Sequence, residues 1–418
     1  MTWTPISKAY VFLKLSSAEP TPVGIIRLHN AQFEFNYAKS WLERENAFPL
    51  DPLHLPLQEQ PFFSDRMFDS LMDATPDNWG KRVLATLHKQ LPQNDIEWLL
   101  ASRSGGVGAT VFTASRDHQL TPLRIPDFDD LVLLAEASSE IDARELVQDE
   151  RILKLMWHGS SMGGARPKST VKYEGQEWIA KFTKFSDLFD ESRAEYASLA
   201  MAKDAGILVP DTRLIELPEH TVILVKRFDR GPDQQRKHYI SAHAMLGMSR
   251  IKPEDLYSRY SYSGIAESIR KISNRATPDL HQLFRRMVFN VAISNTDDHL
   301  RNHGFLYQPG EGFRLSPAFD ILPHPTQSEL HAIGIGREGR KSSLDNAISR
   351  ADQFLLSNQD ALEIVDQVRD VTLNSRRYFA EVGMRQNDSN LLTRACNKPS
   401  PIQQAKNSKI TSNDCPSP

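Results

Sequence analysis

Cysteine is almost absent: Cys396 and Cys415, both close to the end of the chain, are the only two in 418 residues. Disulfides therefore do not hold the folded body together. Long apolar runs are missing too. Near the start nothing exceeds Ala9 to Leu13, too short for a signal-peptide core or a spanning helix, so the expectation is a cytoplasmic protein with no membrane partner. Neither sign of charge dominates. Lys and Arg number 50 against 53 Asp and Glu, a net −3, and no global field argues for nucleic acid; any such contact must be local. No internal repeat is detectable, and the glycine-rich turn GSSMGGARPK is neither G-x-G-x-x-G nor G-x-x-x-x-G-K-[ST], so it is no Rossmann or P-loop fingerprint. What remains is a chain of average globular composition, 40% hydrophobic and 25% charged, long enough for two or three domains.

Along the chain the pattern is α+β. Residues 1–125 are β-rich: YVFLKL, PVGIIRL and QFEFNY are short strands, SLMDATPDNWGKRVLATLHKQL reads as a helical insert, and RSGGVGATVF is a glycine turn feeding another strand. Residues 126–230 open with an acidic, helix-prone connector. They continue with the glycine-rich turn GSSMGGARPK, a hairpin ending in WIAK, the helix ESRAEYASLAMAKDAG with its terminal glycine stop, and the strands TRLIEL and TVILVKRF. From 231 to 394 the pattern turns helical. ATPDLHQLFRRMVFNVAISN predicts a helix with Thr277 as N-cap, Pro278 in the first turn, and Leu283, Met287, Val288 and Val291 on one face. Residues 395–418, polar and proline-bearing, are expected to be a disordered tail.

That helix runs straight into NTDDHLRNHGF. Three readings compete for it. A metal site would use His299 and His303, four apart, but the glutamate of a zincin is missing, and Asn302 and Gly304 end any helix between them. A polar turn would use Asp and Asn side chains to cap the backbone before the strand GFLY. The third reading rests on spacing: Asp297 and Asn302 stand five apart, like the D-x-x-x-x-N of the protein-kinase catalytic loop. There an Asp handles the acceptor hydroxyl's proton and an Asn holds magnesium against the nucleotide phosphates. A further carboxylate is required, and SPAFDILP supplies Asp320 after a hairpin.

The upstream half adds to this. Lys181 ends the strand WIAK where a kinase lysine grips the α- and β-phosphates. A helix bearing Glu191 and Glu195 follows, and Glu195, on one face with Leu199 and Ala202, is the expected partner of Lys181. The glycine-rich turn is either a hairpin turn or a lid whose N–H groups approach phosphate, with Lys168 as an extra charge and Ser161 within reach of the γ-phosphate.

SSMGGARPK, IAKF, VKRFDR, NTDDHLRNHGFL and SPAFDIL, in this order, resemble the HipA family of bacterial toxin kinases from type II toxin-antitoxin systems. PVGIIRL, WLERENAFPLDPLHLPL and SGGVGATVF resemble its N-terminal subdomain, and the likeness covers roughly residues 20 to 385. The resemblance implies a two-lobed, protein-kinase-like fold: a β-rich N-terminal lobe with an extra N-terminal subdomain, then a helical C-terminal lobe. It also implies ATP with Mg2+ and phosphoryl transfer to Ser or Thr of a protein.

By position Asp297 would be the base, Asn302 and Asp320 the metal ligands, and Lys181 the phosphate-binding lysine. Gly163 and Gly164 would belong to the lid, Lys226 and Phe228 to the adenine hinge, and Ser161 would be the autophosphorylated serine. The implied partners are a HipB-like helix-turn-helix antitoxin from an adjacent gene, which alone would contact DNA, and a protein acceptor such as an aminoacyl-tRNA synthetase. Arg166 and Pro167 depart from the family, which has Gln at the first position, and there is neither H-R-D nor the glycine of D-F-G. Two alternatives stay open: a nucleotide-binding antitoxin partner without chemistry, and a kinase of small-molecule hydroxyls.

Overall fold

Strand β3 (Gln32–Tyr37) alternates Phe33, Phe35 and Tyr37 inward with Gln32, Glu34 and Asn36 outward, the pattern of a half-buried strand. It pairs through a tight turn with β2 (Thr21–His29); both turn residues, Asn30 and Ala31, have positive φ, as a two-residue hairpin turn requires. With β1 (Lys8–Leu13), β4 (Phe62–Ser64) and β5 (Thr110–Thr113) they form an antiparallel sheet in the order β4-β3-β2-β1-β5. The computed structural model describes residues 6–16, 19–87, 91–102, 105–117, 124–143, 155–156, 166–184, 186–232, 235–325 and 328–396.

A second sheet, β6-β7-β9-β8, is built from β6 (Lys168–Tyr173), β7 (Gln176–Phe182), β8 (Thr212–Glu216) and β9 (Thr221–Lys226). Helix Glu191–Asp204 packs on one face; Asp190 caps it and Gly206, at φ +79°, releases the chain. The other face is covered from outside. The helical insert expected within the first unit is broken at Pro76 into Asp69–Met72 and Asn78–Leu87. Trp79 and Val83 of the second piece join Leu131 and Leu134 of helix Leu131–Asp142 against Val171, Trp178 and Leu224.

The third sheet, β10 (Tyr239–Ser241), β11 (Gly304–Gln308) and β12 (Gly312–Leu315), sits among helices. The Ala276–Ala292 helix buries Leu283, Met287, Val288 and Val291 as the periodicity requires. Its start lies two residues before the expectation: Arg275, not Thr277, is the N-cap residue. The Ser273 hydroxyl satisfies the Arg275 N–H and leaves Thr277 inside the helix. Residues 395 and 396, assigned to the tail by the sequence, are helical instead. Helix Gln386–Cys396 carries its apolar face to the end, burying Ala395 and Cys396, and the Ser294 hydroxyl donates to the Ala395 carbonyl at 2.7 Å. Among the described residues no helix is long and apolar enough to cross a membrane.

His238 joins the first sheet's unit to the third. Its Nε2 lies 2.8 Å from the Leu50 carbonyl oxygen, and burial pushes its pKa down to about 4. The unfolded chain takes up this proton near pH 6.5, so it binds more protons than the folded state between those values, and stability falls as pH drops through that window. The two-and-a-half-unit difference is worth about 3 kcal/mol, and His243 is depressed to the same value. Urea unfolding of His238→Gln should therefore show roughly half the wild-type loss between pH 6.5 and 4. An unchanged slope would refute the assignment.

Candidate active site

The site starts from the pleat of β7. Trp178, Ala180 and Phe182 face the outer helices, which turns Lys181 toward helix Glu191–Asp204. There Lys181 Nζ meets Glu195 Oε1 at 2.5 Å and, across the cleft, Asp320 Oδ1 at 2.9 Å. Burial alone would lower this ammonium's pKa; Asp320 and Glu195 outweigh it and push it up to about 12. Lys168 stands directly across the ladder from Lys181 and is itself buried, with Nζ 3.0 Å from Asp77. Glu191, the other glutamate on the helix, pairs instead with Arg166. Arg166 also donates to the Phe182 carbonyl and to Asp187, both at 3.1 Å, so it clamps the chain entering β6 onto the start of that helix.

Asp320 is reached after the β11–β12 hairpin, whose turn uses Gly310 and Gly312 at φ +77° and +76°. Asp320 itself has φ +59°, uncommon for a residue with a side chain and a sign that its surroundings hold it there. The Lys181 ammonium keeps its carboxyl well below the usual carboxylate range, with Lys168 and His299 acting the same way, so the lysine pair and the loop histidine share one electrostatic field. The preceding Phe319 packs 5.5 Å from the ring of Phe228, which also neighbours Tyr239. Lys226 ends β9, with its Nζ 3.5 Å from Asp211.

The loop after helix Ala276–Ala292 treats its two aspartates oppositely. Asp297 is exposed, and among the described residues its carboxylate has no hydrogen-bond or ion-pair partner. Asp298 is buried: it accepts the Tyr262 hydroxyl and lies 3.1 Å from His303 Nε2, while Asn290 Nδ2 donates to that hydroxyl at 3.0 Å. Burial opposes its ionisation, yet His303 and Tyr262 hold its carboxyl below the ordinary value. His303 is thus scaffolding. His299 is half-buried, and its Nδ1 has no hydrogen-bond partner among the described residues. Asn302, in the short turn Leu300–Asn302, is buried and follows the exposed Arg301.

Lys181, Glu195 and Asp320 are therefore brought into direct contact, and the loop of Asp297 and Asn302 adjoins them through His299. Ser161, Gly163 and Gly164 lie outside the described residues. Sequence reasoning missed the Lys168–Asp77 pair, the Asp298 anchor and a buried knot in VKRFDR. In that knot Asp229 accepts from Arg227 Nη2 at 2.8 Å, from Arg230 Nη1 at 2.7 Å and from the Gly108 N–H at 2.7 Å. Two arginines flanking one aspartate behind an apolar strand was the available signal. Among the described residues no three of His, Cys, Asp and Glu converge as a metal cluster.

These features define an α+β chain with the two-lobed, protein-kinase-like architecture. It belongs to the HipA family: residues 17–113 match the HipA N-terminal domain, and residues 160–375 the HipA-like C-terminal domain. It is 23% identical over 325 residues to the serine/threonine-protein kinase toxin HipA of Shewanella oneidensis, spanning 69% of this chain and 70% of that one. The Shewanella structure of HipA, HipB and their operator DNA shares the fold. Its TM-score is 0.69 at 18% identity, over 92% of this chain and 96% of that chain.

Proposed function

We propose that this chain is a HipA-type toxin kinase: an ATP- and magnesium-dependent enzyme that phosphorylates Ser or Thr of a protein acceptor in the cytoplasm. The observation that carries this reading is the Lys181–Glu195–Asp320 cluster facing the loop of Asp297 and Asn302.

Each residue's environment suits its assigned role. Lys181, kept charged and oriented by Glu195, offers a fixed cation to the α- and β-phosphates. Asp297, exposed and without a side-chain partner among the described residues, is suited to accept the acceptor hydroxyl's proton. The amide oxygen of Asn302 and the half-exposed carboxylate of Asp320 are hard oxygen donors, the kind magnesium takes when phosphates and water complete its shell. Magnesium bound there would neutralise charge developing on the transferred phosphoryl group. Phe228 and Phe319 supply an apolar wall beside Lys226 for an adenine ring. In this reading Ser161 is the autophosphorylated serine and Gly163 and Gly164 form the lid.

The Shewanella structure contains HipB and operator DNA, which supports a helix-turn-helix antitoxin as partner, with DNA reached through it. An aminoacyl-tRNA synthetase is the acceptor class to test first. Purified protein incubated with γ-labelled ATP, magnesium and a cell lysate should label a protein band and, without lysate, its own Ser161. Label in small molecules alone, or nucleotide binding with no transfer, would overturn the proposal in favour of the two alternatives.

A further inference from the structure

Residues 73–77 join the short helix Asp69–Met72 to helix Asn78–Leu87 and belong to the N-terminal unit, yet they touch both halves of the site. At one end the buried Asp73 carboxylate accepts the Ser241 N–H and the Ser241 hydroxyl, each at 2.7 Å, and lies 3.6 Å from Arg301 Nη1. Ser241 caps the Ala242–Met245 helix through the Ala244 N–H, and the Ala242 N–H donates to the His303 carbonyl at 2.8 Å. Asp73 thus reaches residues on either side of Asn302. At the other end Asp77 caps helix Asn78–Leu87 through the Gly80 N–H at 2.6 Å and pairs with Lys168 Nζ at 3.0 Å. The Trp79 indole N–H adds a bond to the Lys168 carbonyl, also at 3.0 Å. Lys168 is the cross-strand neighbour of Lys181.

Four Cα steps separate the two carboxylates, and even a fully extended chain covers only about 14 Å in that distance. Pro76, buried in the middle, fixes one φ and lacks an N–H, which stiffens the segment further. The loop of Asp297 and the strand of Lys181 therefore cannot move far apart without breaking a pair at one end. We propose that residues 73–77 are a strap that holds the candidate catalytic loop and the lysine strand in register, with Asp73 and Asp77 as positioning residues. This makes the N-terminal unit a working part of the site: Asp73 acts through Arg301 and Ser241, and Asp77 acts through Lys168.

The consequence for catalysis rests on the kinase reading; the strap itself does not, so two measurements separate them. Burial pushes the Asp73 carboxyl up to about 6, and work at about pH 8 compares its ionised form with the variants. In hydrogen exchange, Asp73→Asn should speed amides 300–304 by about tenfold and leave β6 unchanged, while Asp77→Asn should speed β6 and leave that loop unchanged. In kinetics, Asp73→Asn should lower kcat about tenfold at unchanged KM for ATP, and adding Arg301→Gln should cost nothing more. Asp77→Asn should raise KM for ATP about tenfold with kcat retained. Exchange that quickens uniformly through the chain, or not at all in these segments, overturns the strap, as does an additive double variant. A wild-type chain that transfers no phosphate overturns the kinase reading, and exchange then still decides the strap.

Discussion

Asp297→Asn will lower phosphoryl transfer by about 10³-fold and leave nucleotide binding and the melting temperature essentially where they are. The expectation follows from the contrast between two neighbouring aspartates. The Asp297 carboxylate faces solvent with no hydrogen-bond or ion-pair partner among the described residues, so the isosteric amide disturbs no packing. It does remove the atom that would accept a proton. Asp298 is the internal control, since its carboxylate is held by Tyr262 and His303 inside the fold. Asp298→Ala leaves that hydroxyl and imidazole without their acceptor and should cost about 2 to 4 kcal/mol of stability. Single-turnover kinetics with labelled ATP, nucleotide titration and urea unfolding on both variants decide the matter. Equal labelling by Asp297→Asn would remove the residue from the mechanism, and a destabilised Asp297→Asn would show that the exposed carboxylate has a structural role instead.

Asp229→Ala will destabilise the chain by about 3 to 5 kcal/mol, the range for breaking a buried ion network by removing one partner. Burial would raise the Asp229 carboxyl, but Arg227 and Arg230 hold it well below the usual carboxylate range. Both guanidinium groups are buried and share the Gly106 carbonyl, at 3.1 and 2.9 Å. Without Asp229 two positive charges face each other indoors, with Glu177 the remaining carboxylate among the described residues to compensate, 3.5 Å from Arg227 and 3.1 Å from Arg230. The same knot fastens the turn Gly106 to Gly108 of the first unit to the exit of β9, so the variant should also free that unit and raise its proteolytic sensitivity. Chemical denaturation measures the loss. A change below about 1 kcal/mol would mean that the two arginines find other partners and the knot is dispensable.

The strands were legible because their physics is local. QFEFNY alternates, and TVILVKRF is an apolar run that can only be covered on both faces. The helix over 276–292 announced itself by period. Its cap and the end of the last helix were not legible. Each depends on a partner distant in sequence or on a competing side chain: Ser294 meeting Ala395, and the Ser273 hydroxyl displacing Thr277. The candidate site divides in the same way. Lys181, Asp297, Asn302 and Asp320 were found from order and spacing. The choice of Glu195 over Glu191 needed a helix face, and Arg166 explains why Glu191 is otherwise engaged.

By itself the sequence determined the residue types, their order and the hairpin between loop and carboxylate, because periodicity, turn chemistry and motif spacing are properties of neighbours along the chain. Only the tertiary structure decided which aspartate of the Asp297–Asp298 pair faces solvent, that Lys168 sits beside Lys181, and that a five-residue stretch of the N-terminal unit spans the site. The physical reason is burial. A charge withdrawn from water must find its partner wherever the fold presents one, and for Asp73 and Asp77 that partner lies 228 and 91 positions away.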